Sequence, residues 1–213
     1  MRVSMNLGML FAVSIVLLGC AKEVDPSQFA PGTIEWHAAS ALRQEYRVEY
    51  QFEYEIADRP PALAGTVIRS FTDPANWAEI QRYARPYQQE TKIVKVREQA
   101  FDCVGGLCWP LQERTWTVEE LILEHSSVLT VRNEETRSIL NEDCACFSFV
   151  VAETDIGLLF DSGTLCYGSN SSLPLYSELH ATVFDVPTVA TLTARSVGAP
   201  ELRDFEMVLP SSD

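Results

Sequence analysis

Basic residues are scarce in this chain of 213 residues: 16 Lys and Arg stand against 30 Asp and Glu, a formal charge of −14. A surface of that sign repels phosphate backbones and anionic headgroups, which argues against nucleic acid as a partner and against a polybasic membrane patch. Histidine is scarcer still. His37, His125 and His180 are isolated in sequence, and none sits in an HExxH or HxH pattern. The chain also lacks a GxSxG elbow, an SxxK pair and a glycine loop for phosphates, so the familiar hydrolase and nucleotide signatures are missing. No internal repeat or low-complexity tract is visible. Hydrophobic residues nevertheless make up 46% of the chain, enough for a packed core and too many for a disordered one.

Long apolar runs are absent except at the N-terminus, where Leu7 to Leu18 follow the charged Arg2. That layout predicts a signal peptide over 1–19 and not a retained helix, because the run is short for a ~30 Å hydrocarbon layer and Lys22, Glu23 and Asp25 follow at once. Leu17-Leu18-Gly19-Cys20 at the end of the run resembles the lipobox of bacterial lipoproteins. The resemblance implies that Cys20 is joined to diacylglycerol and becomes the first mature residue, with membrane lipid as the first partner. An ordinary signal peptide with a chance cysteine is the alternative. By the same resemblance, Ala21 stands where many lipoproteins held at the inner membrane carry aspartate, which implies the periplasmic leaflet of the outer membrane. Residues 20–33, with two prolines and a glycine, read as a flexible tether, and 34–213 as one globular domain facing the periplasm.

Within that domain Glu45 to Ile56 alternates strictly, with Tyr46, Val48, Tyr50, Phe52, Tyr54 and Ile56 on one face and charged or polar residues on the other. One face on a core and one in water describes an antiparallel sheet. Beyond Asp58-Arg59-Pro60-Pro61, the spacing of Leu63, Val67, Ile68 and Phe71 predicts a helix, and Asp73-Pro74 predicts the start of a second short one with Trp77, Ile80 and Ala84 inward. Strands are expected near 91–102, 108–118, 121–132, 144–153, 158–167 and 175–186, while 187–213 fits helix or strand equally. The predicted class is therefore α+β: a twisted antiparallel sheet of about seven strands with two short helices inserted after the first strand. Another antiparallel barrel or sandwich is the alternative.

The order of elements over Tyr54 to Ile80, with Asp73-Pro74-Ala75-Asn76-Trp77 as the turn between two helices, resembles the start of START-like (SRPBCC, helix-grip) domains. Such a fold implies an apolar cavity between a curved sheet and a long C-terminal helix. Gly198-Ala199-Pro200 departs from that pattern, since it would break the closing helix.

Five cysteines follow Cys20. In Cys103-Val104-Gly105-Gly106-Leu107-Cys108, a two-residue hairpin turn at the glycines places Cys103 opposite Cys108 and predicts a disulfide. A loop at Asp155-Ile156-Gly157 would place Cys146 opposite Cys166 and leave Cys144 odd. The alternative is a thiolate site for a soft metal such as Cu(I) on Cys144, Cys146 and Cys166.

No set of residues is singled out as catalytic, and no cofactor is called for. The favoured function is a membrane-anchored envelope lipoprotein that binds a hydrophobic ligand or a protein partner, with the aromatic strand 46–54 and Trp77 lining a core or a pocket. An envelope hydrolase using Asp and Glu, or a cysteine-based metal binder, is the competing class; pairs such as Glu119-Glu120 and Glu134-Glu135 read as solvated charge.

Overall fold

A computed structural model describes residues 24–57, 63–84, 89–97, 99–112, 115, 117–152, 160–183 and 185–209. Cys20, the prolines at 60 and 61, Arg85-Pro86 and the loop at 155–157 lie outside the described residues. The elements run α1 (Ile34–Ala41), β1 (Tyr46–Ile56), β2 (Leu63–Asp73), β3 (Asn76–Tyr83), β4 (Glu90–Val96), β5 (Gln99–Val104), β6 (Leu107–Pro110), α2 (Val118–Glu124), β7 (Leu129–Asn133), β8 (Arg137–Ile139), β9 (Glu142–Val151), β10 (Ser162–Gly168), β11 (Pro174–Val183) and β12 (Val186–Gly198). All twelve strands belong to one open antiparallel sheet in the order β6-β5-β4-β3-β2-β1-β12-β11-β10-β9-β7, with β8 also on β9.

The antiparallel sheet and the two short helices stand, but the described residues form twelve strands and the helices lie elsewhere. The two helices expected after β1 are strands β2 and β3. The reason is burial on both faces. Val67 and Phe71 of β2 pack toward the helices while Ile68 and Ser70 are buried on the other side, so the period of two that marks a half-exposed strand is erased. Asp73 caps no helix. Its carboxylate accepts from the Ala75 amide and the Asn76 side chain, closing a tight β2–β3 turn around Pro74. The true helices carry ordinary start signals. Thr33 accepts from the Trp36 amide, and Thr117 forms a reciprocal capping box with Glu120, inside windows read as tether and strand. The helix-grip order is thus not this chain's order, and the tail that would supply a closing helix is the long strand β12.

Opposed residues of neighbouring strands share a face. Tyr46, Val48 and Tyr50 of β1 therefore lie with Phe71, Arg69 and Val67 of β2, and these with Trp77, Glu79 and Gln81 of β3. Both helices cover this inner face. Ile34, Ala38 and Ala41 of α1 and Leu121 and Ile122 of α2 pack with Phe147, Phe149, Leu165 and Tyr167 of β9 and β10. Burial of such side chains at roughly 1.5–3 kcal/mol each is the main force holding the two helices down.

The outer face of β1–β6 is closed by the C-terminal segment. Phe205 and Met207 pack on Ala78, Val94 and the Cys103–Cys108 disulfide, while Asp204, buried, accepts from Ser70 Oγ and from Arg47 Nε at 3.0 Å. A 3₁₀ turn at Leu202–Phe205 positions the carboxylate. No described helix is long and apolar enough to cross a membrane.

Candidate functional site

The inner face and α2 do not meet everywhere. Between them lies a cleft of about 100 Å³ lined by Tyr46, Phe71, Trp77 and Ile93 from the sheet, Val118, Glu119 and Leu121 from α2, and Phe160 and Leu179 from the far side. Its walls are mostly apolar, but its floor holds charge. Arg69 and Glu79, directly opposed on β2 and β3, form an ion pair at 2.6 Å, and the guanidinium lies 5.6 Å from the centre of the Tyr50 ring. Glu119 faces the same space and is 1% exposed. Burial pushes its carboxyl above the usual carboxylate range, against the pull of Arg69. The phenols of Tyr46 and Tyr167 are likewise held well above their ordinary range by burial. The next residue of α2, Glu120, faces Lys95 at 3.9 Å, and both are buried.

Two polar atoms at the cleft have no partner. Trp77 Nε1 and Thr115 Oγ1 are fully enclosed and make no hydrogen bond, although a buried donor without one costs about 1–3 kcal/mol.

The same face continues outward along one row of opposed residues: Arg69, Glu79, Ile93, Asp102 and Trp109. At its end Trp109 is 47% exposed and its neighbours Leu107 and Val104 are 43% and 37% exposed. Val208, bridged to Leu107, extends this apolar corner.

Of the residues read from the sequence, Tyr46 and Trp77 meet in the cleft, whereas most of the aromatic strand, Phe52 and Tyr54 included, is core. Arg69, Glu79, Thr115 and Glu119 were not legible as site residues. Glu119 beside Glu120 read as solvated charge, and the capping box at Thr117 was the signal that turned both inward.

The cysteines lie elsewhere. Cys103 is bonded to Cys108 across the β5–β6 hairpin, and Cys146 to Cys166 across β9 and β10. The second bond takes two of the three sulfurs a thiolate metal site would need and leaves Cys144 alone, buried, its thiol pushed up by burial. Among the described residues no His, Cys, Asp and Glu group could hold a metal.

The histidines are equally separate. His37 is buried, stacked on Tyr167 and close to Phe147; His180 pairs with Glu178 at 2.9 Å near the surface, and His125 ends α2.

An open antiparallel sheet with short helices on its inner face and a mostly apolar cleft beneath them defines a class of β-rich fold and no particular chemistry. No protein-family model and no curated protein matches the chain. Solved structures do share its fold. A chain from the Pseudomonas aeruginosa MucA/MucB complex superposes with a TM-score of 0.53 at 13% identity, over 84% of this chain and 62% of that one. MucB alone gives 0.51 at 15%, over 81% and 60%. The present chain thus spans about three fifths of the MucB-type chains it resembles. A LolA superfamily protein from Nitrosomonas europaea aligns over 79% of this chain and 93% of its own, at 9% identity and a TM-score of 0.36.

Proposed function

We propose that this protein is an envelope lipoprotein, anchored through acylated Cys20 at the periplasmic leaflet of the outer membrane, whose domain is a non-enzymatic binding module for a hydrophobic ligand. The observation that carries the reading is the cleft under α2 and its continuation to the exposed corner at Trp109. A space of about 100 Å³ is smaller than the ~150 Å³ cavity that takes up benzene, so it holds one end of a ligand. On the same face Ile93 beside the cleft and Trp109 and Leu107 at the edge offer the rest apolar contacts, with Asp102 between them in the row. Glu79 and Glu119 are two carboxylates in one cleft, the arrangement a hydrolase would use, but Glu79 is engaged by Arg69.

Native mass spectrometry of gently purified protein, followed by solvent extraction, tests the ligand. Recovery of a hydrophobic small molecule supports the reading; an empty protein that also fails to bind alkyl probes overturns it. A second reading, a protein partner docking at Val104, Leu107, Trp109 and Val208, rests on the exposure of that corner, and MucB is itself known in complex with MucA. Co-purification of a protein that is lost on Trp109→Ala would favour it. Anchoring is tested by metabolic fatty-acid labelling: wild type labels, Cys20→Ala does not, and equal labelling refutes the lipobox reading.

A further inference from the structure

The orphaned atoms of the cleft say what kind of ligand belongs there. The indole N–H of Trp77 can only donate, and the Thr115 hydroxyl donates or accepts. Both residues are more than nine-tenths buried, both line the cleft, and neither finds a partner in the protein. Buried polar atoms left unmet by the fold itself are rare, and a ligand group or an ordered water is the partner they call for. The charges around them limit that partner's own charge. Arg69 is already bound to Glu79, Lys95 opposite Trp77 faces Glu120, and Glu119 adds a third carboxyl group against these two cations. An anionic head would therefore meet a site that is neutral or negative and, among the described residues, has no uncommitted cation on its lining.

Resting on the ligand-binding reading above, we infer that the cleft selects an uncharged hydrogen-bond acceptor at the end of an apolar ligand, an ester or amide carbonyl, received by Trp77 Nε1–H and Thr115 Oγ1–H. Trp77 and Thr115 are then specificity residues, and free carboxylates or phosphates of the same chain length are poor ligands. The apolar walls, Phe71, Ile93, Val118 and Leu121, take the adjoining methylenes.

Three probes of matched chain length decide it: methyl octanoate, octanoate and octane, titrated at pH 8 into the purified protein and followed by tryptophan fluorescence and by the indole N–H resonances. The ester is expected to bind at least tenfold more tightly than octanoate and to move the Trp77 N–H signal downfield. Trp77→Phe, which keeps the ring and removes the donor, and Thr115→Val, which keeps the shape, should each weaken the ester about fivefold and leave octane unchanged. Circular dichroism of both variants controls for folding, and each variant tests the other. Equal binding of ester and octane in wild type, or a preference for octanoate, overturns the inference while leaving an apolar site. Failure of all three probes overturns the ligand-binding reading and the inference with it.

Discussion

Arg69 and Glu79 stand opposite each other on β2 and β3, Nε to Oε2 at 2.6 Å, their side chains 19% and 25% exposed beneath the rim of α2. A pair placed so is expensive to break and cheap to replace, since removing one partner strands a charge whereas removing both strands none. Glu79→Gln should lose about 1–3 kcal/mol in urea denaturation, less than a fully enclosed pair because water reaches this one. Arg69→Met with Glu79→Leu should come within about 1 kcal/mol of wild type. If the double variant is as unstable as the sum of the single ones, the pair is not coupled as described.

His37 gives the fold an acid sensitivity. Burial against Tyr167 and Phe147 holds its imidazole below the ordinary value of 6.5, so as pH falls the unfolded chain takes up the proton first. The stability contributed by the neutral ring is complete above the ordinary value and is lost as pH falls from there through the folded one. His37→Phe should flatten the loss of stability between pH 7 and pH 5, by no more than the ~1.4 kcal/mol per pH unit that one proton allows. Thermal melts across that interval measure it; parallel curves for both proteins would show that another group carries the slope.

The two disulfides differ in the length of chain they close. With separations of 5 and 20 residues, chain entropy gives about 2 kcal/mol for Cys103–Cys108 and about 3 kcal/mol for Cys146–Cys166. Paired serine substitutions should therefore hurt more at 146 and 166. Cys144, enclosed with its thiol pushed up, should resist iodoacetamide in the folded protein and react as a single equivalent in urea without reductant. Ready alkylation of native protein would contradict its burial.

How much could be read in advance depended on which faces are buried. β1 was legible because only one of its faces is deeply buried, and Tyr46 through Tyr54 alternate plainly with charged and polar neighbours. The β5–β6 hairpin was legible because Gly105 and Gly106 both take positive φ, which few other residues do without strain. β2 was not, because its outer face is buried as well: Ile68 is enclosed there, and Ser70 is held by Asp204 from more than a hundred residues further along the chain. The site failed for the same reason. Arg69 lies in a segment whose face assignment was wrong, and it meets Glu119 only through the long-range docking of α2.

That tail is itself open to test. Asp204 is 2% exposed and binds both Arg47, whose side chain is 13% exposed, and the buried Ser70. Truncating it leaves a guanidinium and a hydroxyl unmet under the segment they hold, so Asp204→Ala should cost about 2–4 kcal/mol. Glu201 also faces Arg47, at 3.5 Å, but is 41% exposed, and Glu201→Ala should cost less than about 1 kcal/mol. The loss at 204 should be local before it is global. Downstream of Asp204 the Cys108 amide donates to the Val208 carbonyl at 2.9 Å, a bond that exists only while the tail is seated. Hydrogen exchange in Asp204→Ala should therefore accelerate at Cys108 while the amides of β1 and β2 stay protected. Unchanged protection at Cys108 would mean that Phe205 and Met207 hold the segment by packing alone, and that the carboxylate is dispensable.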